Sequence, residues 1–176
     1  MGEDKAFLNV GDPPGFLWQR QLELLGSISP DQLLLSHNAH QVFEVSEGVE
    51  TVADLQSDCG PLGGLVSCLR KAEHDHLLVL AVDLPQMTSG FLSELLATGS
   101  GVVLIDQANK RYEAVVAVYT RECLEIAERR LAKGALAMQK FIAECVEFGF
   151  LEVKPVREAD RELLKNWNRP GDIISS

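Results

Sequence analysis

The chain has 176 residues, of which 46% are hydrophobic and 24% charged, with a formal net charge of -10. That length suits a single domain spanning 1–176, able to bury roughly 70% of the surface its unfolded form exposes. The acidic balance argues against general affinity for nucleic acid or anionic membrane, which are held by spread Lys and Arg, and no stretch approaches the ~18 uninterrupted apolar residues of a membrane span.

In chain order, "MGEDKAFLNV" comes first. Met1 to Arg20 lacks the basic start and apolar core of a cleaved signal, so a cytoplasmic protein is expected. Trp18, Leu22 and Leu25 recur at i, i+4, i+7, with Leu17 and Ile28 widening the stripe, which predicts a helix entered at Pro13-Pro14. "DQLLLSHN" and "VETVAD" are short apolar runs of strand length. Leu62, Leu65, Val66 and Leu69 form a second helical stripe that begins at "GPLGG". "HLLVLAVDLP" carries six apolar residues in series and predicts a parallel strand covered on both faces, with Asp83 at its carboxyl end and Pro85 as its stop.

Further on, Leu92, Leu95 and Leu96 predict a helix. "GVVLID" and "YEAVVAVY" predict two strands joined by a polar "QANKR" hairpin turn. Two helical runs between Arg121 and Val146, divided near Gly134, precede a closing strand, "FLEVKPV". Strands alternating with helices imply an α/β fold whose ligands belong outside the carboxyl ends of the strands. Cys59, Cys68, Cys123 and Cys145 form no CxxC pair, so reduced, buried thiols are expected. His74 and His76 flank Asp75 in a polar stretch that reads as a solvated loop.

Several residues sit where chemistry belongs. Asp83 ends a strand, where a carboxylate either meets a cation and a phosphate or caps the following turn. "GPLGG" opens a helix with Gly60, Gly63 and Gly64, which either admit a base or phosphate to the backbone or make a tight turn. Asp54 ends a strand just ahead of it, as a partner for a nucleotide or as a turn residue. Lys5 offers a point charge suited to triphosphate oxygens, or is a surface lysine. "SHNAH" places Ser36, His37 and Asn38 on the same edge, and "NWNRPGDI" adds Asn166 and Asn168 ahead of a turn. No Ser-His-Asp or Cys-His arrangement stands out.

Taken in order, "MGEDKAFL", "LLLSHN", the "AD" ahead of "CGPLGG", "LLVLAVDLP" and "NWNRPGD" resemble the molybdenum cofactor guanylyltransferase family, the MobA-like NTP transferases, over nearly the whole chain. The resemblance implies a three-layer, Rossmann-like nucleotidyltransferase fold with a mostly parallel sheet and a small antiparallel part. It also implies an enzyme that moves GMP from GTP to the terminal phosphate of molybdopterin carrying molybdenum, assisted by Mg2+. The products would be the guanine dinucleotide cofactor and pyrophosphate. Carried across by position, Lys5 would contact the triphosphate and act in catalysis with Asp83. Ser36 would line the nucleotide site and Asp54 would bind the guanosine, while Gly60, Pro61, Leu62 and Gly64 would wall the guanine pocket. Asp83 would ligate Mg2+, with Asn168 helping at the metal. Molybdoenzymes or cofactor chaperones are the implied protein partners.

Members of that family carry a first strand and a glycine-rich loop ahead of the stretch that here begins at Met1. The resemblance therefore implies a domain incomplete at its N-terminus, started at an internal Met, whose sheet lacks an interior strand and whose site binds GTP poorly. Ala114 stands where relatives usually have Pro, and Gln139 and Lys140 stand where they commonly have Arg-rich sequence, both on the side where the pterin would sit. Two other readings remain. One is a different NTP transferase of the same fold, using CTP for the pterin or an NTP for a sugar phosphate. The other is a non-catalytic relative acting in molybdoenzyme maturation.

Overall fold

The computed structural model describes residues 6, 9–10, 15–38, 40–54 and 59–167. A two-residue pair, β1 (Asn9–Val10) and β2 (Gly15–Phe16), leads into α1 (Leu17–Gly26). Next come β3 (Leu33–His37), β4 (Val49–Ala53), α2 (Gly60–Lys71), β5 (His76–Leu80), α3 (Ser89–Leu96) and β6 (Val102–Asp106). The chain continues through β7 (Arg111–Thr120), α4 (Cys123–Ala132), α5 (Met138–Glu147) and β8 (Glu152–Pro155), then a short 3-10 turn at Glu158–Asp160. The strands and helices expected from periodicity are therefore present, although Pro13 and Pro14 lie outside the described residues and the helix begins at Leu17.

Local chemistry accounts for the boundaries. Gly60 holds φ +56, a conformation that disfavours any side chain, and Pro61 follows in the first helical turn, where a missing N–H costs nothing. Arg70 and Lys71 close α2, where positive charge complements the helix dipole. Thr88 caps α3 by accepting the Phe91 N–H at 3.3 Å. Between β6 and β7, the Asp106 carboxylate accepts from the Ala108 N–H at 3.0 Å and from the Asn109 amide at 2.8 Å. Lys110 adopts φ 56, completing the expected hairpin.

Among the described residues the strands assort into three sheets: β1-β2, β3-β4, and a four-stranded sheet in the order β5-β7-β6-β8. The β3–β4 and β6–β8 ladders are parallel, whereas β7 is antiparallel to both neighbours. The α/β class stands, but the sheet is mixed and its antiparallel share is larger than expected. Inserting β7 between β5 and β6 is the reason, since a strand reached by a hairpin from β6 must run against it.

Helices cover both faces. Val103, Ala117 and Tyr119 pack with α2, α4 and α5, around Leu62, Val66, Phe141 and Ile142. The alternate residues Val102, Leu104, Val116 and Val118 pack with Phe91, Leu92 and Leu95 of α3, with Leu24 and Leu25 of α1 at the margin. This period-2 division gives the three layers.

One expectation about burial fails. Leu77 to Val82 of the "HLLVLAVDLP" run stay half-buried, whereas Val102, Val103, Val116 and Ala117 are 0% exposed. The cause is a gap in the sheet: among the described residues, β5 pairs on one edge only, with antiparallel β7, and β3 pairs only with β4.

Candidate functional site

Two strand ends and one helix entrance converge at the carboxyl edge of the small sheet. The parallel β3–β4 register sets Ser36 opposite Val52, and the Asp54 N–H donates to the His37 carbonyl at 2.9 Å, holding the two strand ends together. The Ser36 hydroxyl then donates to Asp54 Oδ1 at 3.0 Å. Helix α2 packs against both strands and presents Gly64 to that pair. A Cβ at Gly64 would lie 2.8 Å from Ser36 Oγ and 3.2 Å from Asp54 Oδ1, so only glycine leaves the pair undisturbed.

A cavity of about 470 Å³ opens beside this pair. Ser36, Asn38, Asp54, Gly60, Pro61 and Gly64 supply its polar, backbone-rich side. Cys68 and Met138, with Val79, Ala81, Ala114 and Val115, supply an apolar side. A flat heteroaromatic ring with donor groups matches such a lining: it has apolar surface to lie on and carboxylate and hydroxyl oxygens to satisfy its N–H groups.

Cys68 follows Gly64 by one helical turn, so it points the same way. Burial pushes its thiol up to about 11, with the Asp54 charge adding to the rise and a hydrogen bond to Ser36 opposing it. At neutral pH it is a protonated thiol at the cavity floor, a packing group that touches Ser36 rather than a nucleophile.

The residues read from sequence divide clearly. Ser36, Asp54, Gly60, Pro61 and Gly64 come together around the cavity. Leu62 does not: it is 0% exposed and belongs to the core against β6, β7 and α5, because its place on the helix is that of the Leu65–Val66–Leu69 stripe. Asp83 lies just past the end of β5, two residues beyond the cavity-lining Ala81, and is not itself in the lining. Its carbonyl accepts the Trp167 N–H at 2.9 Å, which brings Trp167 to the Asp83 turn. Lys5 and Asn168 lie outside the described residues.

Ala114 does border the cavity, as does Met138, while Gln139 has a different task. Its amide accepts the Tyr112 N–H and donates to the Tyr112 carbonyl, both at 2.9 Å, clipping α5 to β7. Cys68, Met138 and Val115 were not singled out from sequence. The i+4 spacing of Cys68 from Gly64 was the one available signal. His74 and Asp75 are exposed, and the Asp75 carboxylate lies 3.7 Å from Arg121. Cys68, Cys123 and Cys145 are buried free thiols and Cys59 is a half-buried one. Among the described residues no helix is long and apolar enough to cross a membrane.

Comparison with known proteins finds relatives of the chain in both sequence and fold. The family model for the MobA-like NTP transferase domain matches residues 1–148. A probable molybdenum cofactor guanylyltransferase of Opitutus terrae is 33% identical across 98% of this chain and 86% of its own length. Among solved structures, molybdopterin-guanine dinucleotide biosynthesis protein A from Archaeoglobus fulgidus superimposes with a TM-score of 0.74 at 22% identity, covering 98% of this chain and 88% of its own. The 2-C-methyl-D-erythritol 4-phosphate cytidylyltransferase of Thermus thermophilus shares the fold at TM-score 0.68 and 17% identity, over 97% and 90% of the two chains. By sequence over most of its length and by fold, the chain belongs to the MobA-like NTP transferase domain family, a family of nucleotidyltransferases.

Proposed function

We propose that the chain transfers GMP from GTP to a molybdopterin-type molybdenum cofactor, yielding the guanine dinucleotide cofactor and pyrophosphate. The observation that carries the reading is the cavity built by Ser36, Asp54 and Gly64 at the carboxyl ends of β3 and β4, in a chain 33% identical to a probable guanylyltransferase. The same relative supports GTP and molybdopterin as the two substrates.

In this reading a terminal phosphate oxygen of the pterin attacks the α-phosphorus of GTP in line. The new P–O bond forms as the bond to the β-bridging oxygen breaks, and the electron pair leaves with pyrophosphate. No protein nucleophile is needed, in keeping with a Cys68 thiol held protonated. The protein's work is positioning and charge stabilisation. Asp54, oriented by Ser36, accepts from guanine N–H donors. Gly60, Pro61 and Gly64 form the wall that the ring lies against, and the α2 N-terminus offers backbone N–H groups on the same side.

Asp83 is the carboxylate we assign to Mg2+, with Asn168 assisting and Lys5 assigned to the triphosphate. Among the described residues no three His, Cys, Asp or Glu side chains cluster to hold a metal unaided. A single carboxylate such as Asp83 is compatible with Mg2+, which takes one or two carboxylates and completes its shell with water and substrate phosphates. A divalent cation bound there offsets the charge that collects on the leaving pyrophosphate.

The test is turnover. Pyrophosphate release, followed with molybdenum cofactor, Mg2+ and either GTP or CTP, should require all three components and favour GTP. Equal use of CTP, or no release with either nucleotide, overturns the assignment.

A further inference from the structure

The turn that follows β5 is pinned from two distant parts of the chain, and we infer that Gln21 of α1 is a positioning residue. Its amide fixes the backbone at Leu84 and thereby sets the neighbouring Asp83 carboxylate for a divalent cation. This role rests on the proposed assignment of Asp83 to Mg2+, and it falls to a residue outside the lining of the nucleotide cavity.

Gln21 occupies a place where the helix calls for an apolar side chain. It follows Leu17 by four residues and precedes Leu25 by four, so it lies on the core-facing stripe of α1, and it is only 7% exposed. A buried amide is costly unless it is hydrogen-bonded, so a polar residue in such a stripe marks a specific partner. That partner is the Leu84 carbonyl, 63 positions away in sequence, which accepts from Gln21 Nε2 at 2.7 Å.

The location of that bond gives it leverage. Because Pro85 follows, the peptide between Leu84 and Pro85 has no N–H, and its carbonyl is its one hydrogen-bonding handle. The peptide before it, between Asp83 and Leu84, has its carbonyl held by the Trp167 N–H at 2.9 Å. Upstream, the Ala81 N–H donates to the Val115 carbonyl at 2.8 Å, where β5 leaves the sheet. Downstream, the Leu84 side chain is buried with Met87, Phe91 and Leu92. Two successive peptide planes on the carboxyl side of Asp83 are thus fixed, and with them the direction in which its side chain leaves the backbone.

The Leu84 carbonyl also accepts the Met87 N–H at 3.2 Å, so the turn has a closing bond of its own. What Gln21 adds is a rigid link between α1 and the Asp83 backbone. Cation sites are sensitive to such support, since outer groups that orient a ligand are commonly worth about 10–100-fold in metal affinity.

The test replaces Gln21 with methionine, an unbranched side chain of similar length that keeps the burial and lacks the donor. In the full chain, Gln21→Met should leave the melting temperature unchanged or raised. Amide hydrogen exchange should quicken several-fold over 83–87 and stay as in the wild type over 102–104. Calorimetric titration of GTP with and without Mg2+ supplies the functional readout. Affinity without Mg2+ should be unchanged, while the factor by which saturating Mg2+ strengthens binding should fall about tenfold. Asp83→Asn, run in parallel, should reduce that factor at least as much. An unchanged factor in Gln21→Met beside a reduced one in Asp83→Asn would overturn the positioning role and leave Asp83 at the metal. An unchanged factor in Asp83→Asn, or a wild type whose GTP binding ignores Mg2+, would overturn the metal assignment and the role of Gln21 with it. Unchanged exchange over 83–87, faster exchange along the whole chain, or equal loss of GTP affinity with and without Mg2+ would overturn it too, by showing a glutamine that only supports the fold.

Discussion

The four-stranded sheet and the β3–β4 ribbon are built from similar apolar sequence, yet they differ sharply in support. Val102, Val103, Val116 and Ala117 lie at 0% exposure between helices on both faces, whereas Leu33, Leu34 and Leu35 of β3 remain half-buried. The ribbon nevertheless carries Ser36 and Asp54, and the well-packed sheet contributes only Val79, Val115, Ala81 and Ala114 to the cavity wall. In the proposed reading, close packing is concentrated in one region and recognition in the other, as expected when ligand-contacting elements are drawn from the less protected part of a fold.

The sharpest way to break that contrast is truncation in the packed half. Phe141 is 0% exposed and its ring centroid lies 5.8 Å from that of Tyr119. Phe141→Ala should cost ~3–5 kcal/mol in urea unfolding. A loss under about 1 kcal/mol would show that the packed half is not the stability centre.

A pH experiment probes the seam between the two regions. Because the Cys68 thiol is raised from 9.0 to about 11 in the fold, the unfolded chain loses its proton first, and the folded state then binds more protons. The contribution is fully present below about pH 9 and is lost as pH climbs toward about 11. The wild type should therefore lose stability more steeply across that window than Cys68→Ala, by ~1–3 kcal/mol at its upper end. Parallel stability curves would contradict a desolvated thiol.

Within the ribbon, Gly64→Ala should separate recognition from stability. The added methyl displaces the Ser36–Asp54 pair, so Mg2+-GTP affinity in calorimetry should fall about tenfold. The melting temperature should change little, since Ala favours a helix by ~0.5–1 kcal/mol and offsets the crowding. Unchanged affinity would remove the pair from the nucleotide site. The smallest effect belongs to Leu34→Ala, where trimming a half-buried side chain should cost ~1 kcal/mol in the same unfolding assay. A cost equal to that of Phe141→Ala would erase the distinction between the two regions.

How much of this was readable in advance follows from the range of each interaction. Helical stripes such as Leu62–Leu65–Val66–Leu69 and apolar runs such as "GVVLID" are set by nearest neighbours, so they announced themselves. The hairpin at "QANKR" was equally local, with Asp106 and Asn109 closing it. Pairing direction was not local. The "HLLVLAVDLP" run reads as a parallel strand covered on both faces, but its ladder partner is β7, about 40 residues onward and antiparallel.

The site shows the same divide. Gly60, Pro61 and Gly64 were visible because helix entrances need special backbone residues, and the order of motifs pointed to Ser36 and Asp54. Leu62 belongs to the motif by sequence order, while its periodicity puts its side chain in the core. Met138 and Val115 reach the cavity from distant strands and helices, and no local spacing marks such residues.

The place of β7 in the sheet also bears on synthesis. A ribosome makes β5 well before β7, whose ten residues bridge β5 to β6 and end at Thr120. Until then the Leu77–Val82 run has neither edge bonded, and such an apolar strand invites pairing with other chains. Nascent chains released before Thr120 should be captured by holdase chaperones, and chains released after Pro155 should escape them. The step that commits this polypeptide to folding is thus the emergence of the β6–β7 hairpin, a local pair that closes quickly and then recruits the strands made before and after it.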